Sequence, residues 1–262
     1  MKNRGFHNVL PWILPAVALT GWFLTSETGI VPAYLMPHPA EVAATAYRYI
    51  FGEPGMSPYA ARFLSDAGAS LVRITAGFFI AAAAGLPLGL MSGRLPWVRK
   101  LLGTSINGLR AVPGITWLPL AMVWFGIGMK TTVFLVAMAA FFPVYLNTAA
   151  GAAGVNPKLL QAGAMMGVRR FRGIFAILIP AAMPHILTGL RLGLGISWAY
   201  LVLGELTGVP DGLGAVIMDA RMIGRIDVIV VGIIIIAVMG RISDLLLKQA
   251  LKLTLKSAAR MT

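Results

Sequence analysis

The sequence predicts an all-α membrane protein with six transmembrane helices, on three observations. Of its 262 residues, 58% are hydrophobic and 12% charged, with a mean hydropathy of +0.82; a soluble domain carries about a quarter of its residues charged to cover its outside. Six stretches are apolar over the roughly 20 residues a helix needs to cross the bilayer with every backbone N–H and C=O satisfied internally. The charged residues between those stretches sort by sign onto opposite sides.

The first stretch, 9–25, follows Lys2 and Arg4 and reads as a retained helix, because no small-x-small cleavage site follows near Ser26. Residues 26–69 then lie outside the bilayer. Their prolines end the preceding helix, and 40–50 fits a short amphipathic helix on the outer interface, with packing as its plain role. A five-span core fills 70–250, with spans at 70–91, 107–128, 131–150, 174–203 and 228–247. Pro113 and Pro119 bend the span at 107–128, and Pro180 and Pro184 bend the start of the long span at 174–203. Ala81, Gly85 and Gly89, and again Gly189 and Gly193, recur at spacing four and let helices approach closely where lipid supplies no hydrophobic drive. A loop at 155–172 and a basic tail at 248–262 complete a single transmembrane domain over 1–262.

With the first span running outward, 14 of the 22 basic residues fall on one side, from Lys2 and Arg4 through Arg94, Arg99, Lys100, Lys158, Arg169, Arg170 and Arg172 to the tail. Asp244 is the single acid there; the other eight of the nine acids, Glu205 among them, lie opposite. The positive-inside rule therefore predicts a multi-pass protein with both termini cytoplasmic. The same sorting makes the formal charge of +13 a membrane address and excludes nucleic acid as a partner. In the tail, Lys248, Lys252, Lys256 and Arg260 recur every four residues and line one helical face, suited to anionic lipid headgroups or, as the alternative, to a protein contact.

No cysteine is present, and His7, His38 and His185 are scattered, so no metal or other cofactor is expected. "WFGIGMKTT" (124–132) imitates a phosphate loop, but Met129 stands where Gly must precede the Lys and Trp124 where the first Gly belongs. The chain therefore predicts no ATP site of its own. "GLG" at 212–214 lacks a βαβ context and reads as a tight turn. No cluster of acids, histidines or nucleophiles sits at membrane depth, which argues against an enzyme.

Candidate pathway residues follow from cost and position. Arg191 falls near mid-span, where a charge costs about 2.5–3.5 kcal/mol. A substrate anion, helix carbonyls, a water-filled cavity or a structural partner would each offset it. Arg73 and Arg110 lie nearer span ends, where snorkelling suffices, and Arg110 borders the bend at Pro113. Trp117, beside the two prolines, faces either a central cavity or the core. Glu205 ends its span as a gate, a partner contact or a plain interfacial acid. Trp198 and Tyr200 suit an aromatic belt better than a ligand wall, and His185 suits polar packing. The pathway set is thus Arg110, Pro113, Trp117, Arg191, Trp198 and Glu205.

The loop carries the most specific signal. In "NPKLLQAGAMMGVRRFRGIFAILIP" (156–180), Pro157 is placed to start a helix, and Leu159, Leu160, Ala162, Ala164, Met165 and Val168 are apolar before a basic cluster. A short, partly apolar helix on the cytoplasmic face calls for a protein partner, and Gly163 and Gly167 remove side chains where another surface could approach. Gln161, Ala162, Gly163, Gly167, Ile177, Ile179 and Pro180 stand at the spacing of the coupling-loop motif of bacterial ABC importer permeases, Glu-Ala-Ala, three residues, Gly, nine residues, Ile-x-Leu-Pro. Gln161 for Glu, Gly163 for Ala and Ile179 for Leu are the departures; the first removes a charge available to a partner. "LMPHPAEV", "SLVRITAGFFIAAAAGLPLGLMSG", "LRAVPGITWLPLAMVWFGIGMKTTVFL", "FFPVYLNTAAG", "PHILTGLRLGLGISWAYLVLGEL" and "GLGAVIMDAR" extend the likeness over 35–247. The chain resembles the nitrate, sulfonate, taurine and bicarbonate branch of that family.

The resemblance implies a type I (MetI-like) importer core with one extra N-terminal helix, in a bacterial inner membrane. It also implies a second permease copy, two ATP-binding subunits and an extracytoplasmic binding protein. On this view a small anionic solute is moved by alternating access, without catalysis in this chain. Leu159, Leu160, Gln161, Ala162, Gly163, Ala164, Met165, Gly167, Val168, Arg169 and Arg170 would form the ATPase-coupling segment. An ATP-independent secondary transporter or channel is the competing class.

Overall fold

The computed structural model describes residues 4–32 and 34–254, all of them helical or in connecting turns. Lys2, Lys256 and Arg260 lie outside the described residues, as do the side chains of Arg4, His7, Arg170 and Lys252. The helices in chain order are α1 (Arg4–Glu27), α2 (Pro39–Phe51), α3 (Phe63–Arg94), α4 (Pro96–Ala111), α5 (Leu118–Phe125), α6 (Met129–Gly154), α7 (Pro157–Met165), α8 (Arg170–Gly173), α9 (Ile179–Glu205), α10 (Leu213–Met222) and α11 (Ile226–Thr254).

Among the described residues, four helical stretches are long and apolar enough to cross a membrane: Phe63–Arg94, Met129–Gly154, Phe171–Glu205 and Ile226–Leu251. The pair Pro96–Ala111 and Gly114–Phe125 reaches that length only when taken together and is bent by 89° between its halves, the geometry of a broken span or a re-entrant loop. The 24-residue α1 covers the predicted first span in sequence but is not among these stretches. The expectation of a merely bent rod at 107–128 is corrected: the helix is broken in two there, and its first half begins at Pro96. Pro113 explains the break. It offers no N–H to the helix and forces Val112 before it into an extended conformation, with ψ 120°. Pro119 then opens α5, where a missing N–H costs nothing.

The described residues fall into two compact units, one drawn from 1–66 with 216–235 and the other from 67–215 with 236–262. In the first unit α2 confirms the amphipathic helix predicted at 40–50. His38 caps it, its Nδ1 accepting from the Ala40 N–H at 3.2 Å, and Val42, Thr45 and Tyr49 form its buried face. Asp227 accepts from Thr45 Oγ1 at 2.7 Å and from Arg225 Nη2 and Nε at 2.7 and 2.9 Å, and Tyr49 donates to Asp66 at 3.0 Å.

In the second unit α6 is the central post. Val144 and Ala152 of α6 pack with Ala182, Met183, Ile186 and Leu190 of α9, with Phe78, Ala82 and Leu86 of α3 against them. The small-residue faces make this closeness possible. A Cβ on Gly189 would lie 2.8 Å from Asn147 Cβ, and one on Gly89 would lie 2.7 Å from Thr148 Cβ. Ahead of Pro180 the chain runs as a π-helical turn over Ile174–Leu178, the adjustment that follows when a proline withholds its N–H from the preceding turn.

Candidate functional site

The loop between α6 and α9 folds as a closed unit. Asn156 caps α7 with Oδ1 on the Lys158 N–H at 2.9 Å, and Pro157 occupies the first turn. At the other end Gly167 N–H reaches Ala164 O at 3.0 Å and Val168 N–H reaches Gly163 O at 2.9 Å, the paired bonds of a Schellman cap. That cap needs a left-handed residue, and Gly167 has φ +81°. Gly163 is buried, and a Cβ there would lie 2.2 Å from Ile177 Cδ1. The expectation that both glycines open room for an outside surface is therefore corrected for Gly163, while the space beside Gly167 is open. Gly163 seats a side chain of its own chain, and Gly167 turns the backbone.

The segment's side chains divide by face. Leu160, Ala164 and Val168 line a groove against the end of α3, with Leu90, Met91 and Arg94 opposite. Lys158, Gln161, Ala162 and Met165 point the other way and are exposed, Met165 by 84%. Leu159 and Met166 are also exposed, and Arg169 stands exposed at the N-cap of α8.

A cavity of about 390 Å3 opens where the broken span meets α6 and α9. Of the six predicted pathway residues it brings together Arg110 and Trp117, and Pro113 makes the turn between them. Asn147 and Phe142 of α6 and Tyr200 of α9 complete the polar and aromatic lining. Tyr200 packs so closely that a Cβ on Gly114 would lie 2.1 Å from its hydroxyl; its assignment to an aromatic belt is corrected. Pro143, also in the lining, withholds an N–H from the Ala139 carbonyl in the same wall, while Asn147 Nδ2 donates to Pro143 O at 2.8 Å. Sequence reasoning passed over Asn147 and gave Tyr200 to the belt. The available signal was a proline followed four residues later by a polar side chain at mid-span.

The other predicted pathway residues lie outside this cavity, each with a partner in its own chain. Arg191 makes a bidentate pair with Asp244, Nε at 2.7 Å and Nη2 at 2.9 Å, so of the offsets considered the structural partner is the one present. Trp198 is buried and donates to Ser243 Oγ at 2.9 Å, which corrects its reading as a belt residue. Glu205 is 0% exposed and therefore neither an interfacial acid nor an open contact for a partner. It accepts from Ser70 Oγ at 2.8 Å, Arg73 Nη1 at 2.8 Å and the Gly214 N–H at 2.8 Å. Arg73, expected to snorkel, is buried. It also donates to the Asp211 carbonyl at 2.7 Å and pairs with the Asp211 carboxylate. The "GLG" at 212–214 is the turn foreseen, with Gly212 at φ +122°, and it leads directly into α10.

Comparison with known proteins fits this architecture. Residues 85–251 match the family model described as binding-protein-dependent transport system inner membrane component. The aliphatic sulfonates transport permease assigned as SsuC in Bacillus subtilis is 35% identical over 88% of this chain and 81% of its own length. The taurine transport system permease TauC of Escherichia coli is 34% identical over 88% and 82%, and the nitrate import permease NrtB of Synechocystis 30% over 90% and 85%. An inward-facing structure of the MetNI methionine ABC transporter superposes with a TM-score of 0.58 at 18% identity, over 72% of this chain and 95% of that one, and so shares the fold. The chain therefore belongs to the binding-protein-dependent transport system inner membrane components, as a multi-pass ABC importer permease of the sulfonate, taurine and nitrate branch.

Proposed function

We propose that this permease imports a small anionic solute of the sulfonate, taurine, nitrate, bicarbonate or organic-acid type, and that ATP hydrolysis on a separate subunit drives it through α7. The observation that carries the anion reading is Arg110. It lines the cavity at the broken span and, among the described residues, has no carboxylate partner, whereas Arg73 and Arg191 are both paired. A guanidinium without an acid in a small, partly apolar chamber offers an anion two parallel donors. The names of the relatives, which concern sulfonates, taurine and nitrate, point the same way.

Coupling is assigned to the outward face of α7, with Gln161, Ala162 and Met165 meeting the ATPase. Gly163 against Ile177 then passes the push into the π-helical turn at the root of α9. Leu160, Ala164 and Val168 work on the chain's own side of the helix. The termini are assigned to the cytoplasm, with an extracytoplasmic binding protein delivering solute on the far side and a second permease copy completing the pathway. Alternating access follows as a rigid-body switch between two packings.

The test is uptake into proteoliposomes holding the permease, its ATPase and its binding protein, with taurine, an alkanesulfonate, nitrate and bicarbonate as probes. Uptake of one of them should require ATP inside, and Arg110→Gln should weaken its apparent affinity by about tenfold, the scale of one lost charge-assisted hydrogen bond. ATP-independent uptake driven by an ion gradient would overturn the proposal. The chain has 0 cysteines, so Met165→Cys gives a single thiol. It should cross-link to the ATPase and react only with reagents on the ATPase side.

A further inference from the structure

The groove between α3 and α7 is a second cavity, of about 810 Å3, within the roughly 300–1,000 Å3 of small-molecule sites. Leu90 and Met91 form one wall, Leu160, Ala164 and Val168 the other. The single charged side chain in the lining is Arg94, in the last turn of the α3 span; it is half-buried and, among the described residues, has no acid partner. Phe171 lines the groove, and its ring meets that of Phe175 edge-on at 5.5 Å; both are exposed, in the manner of aromatic residues at a membrane boundary.

These features select one kind of occupant. A peptide strand or loop from a protein partner would bring backbone N–H and C=O groups into a channel whose lining side chains, Arg94 apart, offer them nothing. An acyl chain brings none. A cation among apolar walls, carried on the last turn of a helix long and apolar enough to cross the bilayer, matches an anionic headgroup on such a chain. We infer that the groove binds an anionic phospholipid, its acyl chain along Leu90, Leu160 and Val168 and its phosphate on Arg94. The lipid would join the α3 span to the inward face of α7. Resting on the coupling role proposed for α7, the bound lipid then sets how firmly the loop follows the ATPase, and so makes transport depend on anionic lipid.

The experiment is native mass spectrometry of the permease purified with its ATPase subunits, after exchange into mixtures of phosphatidylglycerol and phosphatidylcholine. Wild type should retain phosphatidylglycerol in preference. Arg94→Gln should cut that preference about tenfold, the scale of one charge-assisted contact to phosphate. Ala164→Phe, which fills the groove, should lower retention of both lipids, and Leu90→Trp serves as a second filler should Ala164→Phe fail to fold. Retention of phosphatidylglycerol by Arg94→Gln at the wild-type level would overturn the inference. So would a filler that sheds the ATPase while keeping lipid, because a protein would then occupy the groove. Wild-type complex that keeps its lipid but does not hold the ATPase would count against the coupling role alone.

Discussion

The ionic cluster at the end of α9 gives a prediction with a sign that is hard to mimic. Glu205 is buried and has three donors, Ser70, Arg73 and the Gly214 N–H, while Arg73 is shared with Asp211. Removing one member of a buried pair strands the other, and such losses run to about 3–5 kcal/mol. Arg73→Met leaves Glu205 with Ser70 and Gly214, two of its three donors, so the loss should sit near the lower end, about 3 kcal/mol. Glu205→Gln in the wild type keeps the shape but weakens the bond to Arg73 and places an amide against the Gly214 N–H, at a cost of about 1–2 kcal/mol. In the Arg73→Met background the same change removes a stranded charge and should restore about 1–2 kcal/mol. Glu205→Gln thus destabilises one background and stabilises the other. The assay is reversible unfolding in mixed micelles followed by tryptophan fluorescence, run as a double-mutant cycle. If the two changes simply add, or if the double variant is the weakest, the carboxylate is not held as a buried charge by Arg73 and the reasoning fails.

Three further outcomes follow from the same geometry. Gly167→Ala puts a Cβ at φ +81°, which costs about 1–2 kcal/mol locally; membrane insertion should persist while ATP hydrolysis continues with reduced uptake, and fully coupled uptake would refute the role of the cap. Gly163→Leu should disrupt the loop by striking Ile177, and Ile177→Ala should recover part of the uptake if that clash is the cause. Arg191→Ala should lower stability by about 1 kcal/mol, the scale of a partly exposed pair, and leave the apparent affinity for solute unchanged; a large loss of affinity would return Arg191 to the pathway.

Most of the helical plan was legible because the bilayer imposes a single rule, that backbone groups be satisfied within a run of apolar residues. Predicted spans at 131–150 and 228–247 lie inside Met129–Gly154 and Ile226–Leu251 for that reason. The same rule hid the break at 107–128. Hydropathy carries straight across Val112 and Pro113, whereas the fold turns there by 89°, and only the steric restriction on the residue before a proline could have announced it. In the loop, composition told that α7 exists. It did not tell which of its faces Ile177 would claim, since that contact joins positions separated by a cap and a π-helical turn.

The arginines show where sequence reasoning ended and why. Arg73, Arg110 and Arg191 are the same residue in similar apolar surroundings, and position along a span was the only guide to them. Their fates were decided elsewhere, by Glu205 at 132 positions from Arg73 and by Asp244 at 53 positions from Arg191. A cation matched within its own chain is held by the fold and has little left to offer a passing anion, because releasing it strands a carboxylate. Mid-span depth pointed to Arg191, but depth measures only how badly a charge needs an offset, and Asp244 supplies one. The useful criterion is the offset itself. Of these three arginines that criterion leaves Arg110, the one without an acid partner among the described residues and the one proposed to meet solute, beside an open turn, a tyrosine hydroxyl and a carbonyl that Pro143 leaves without its helical donor.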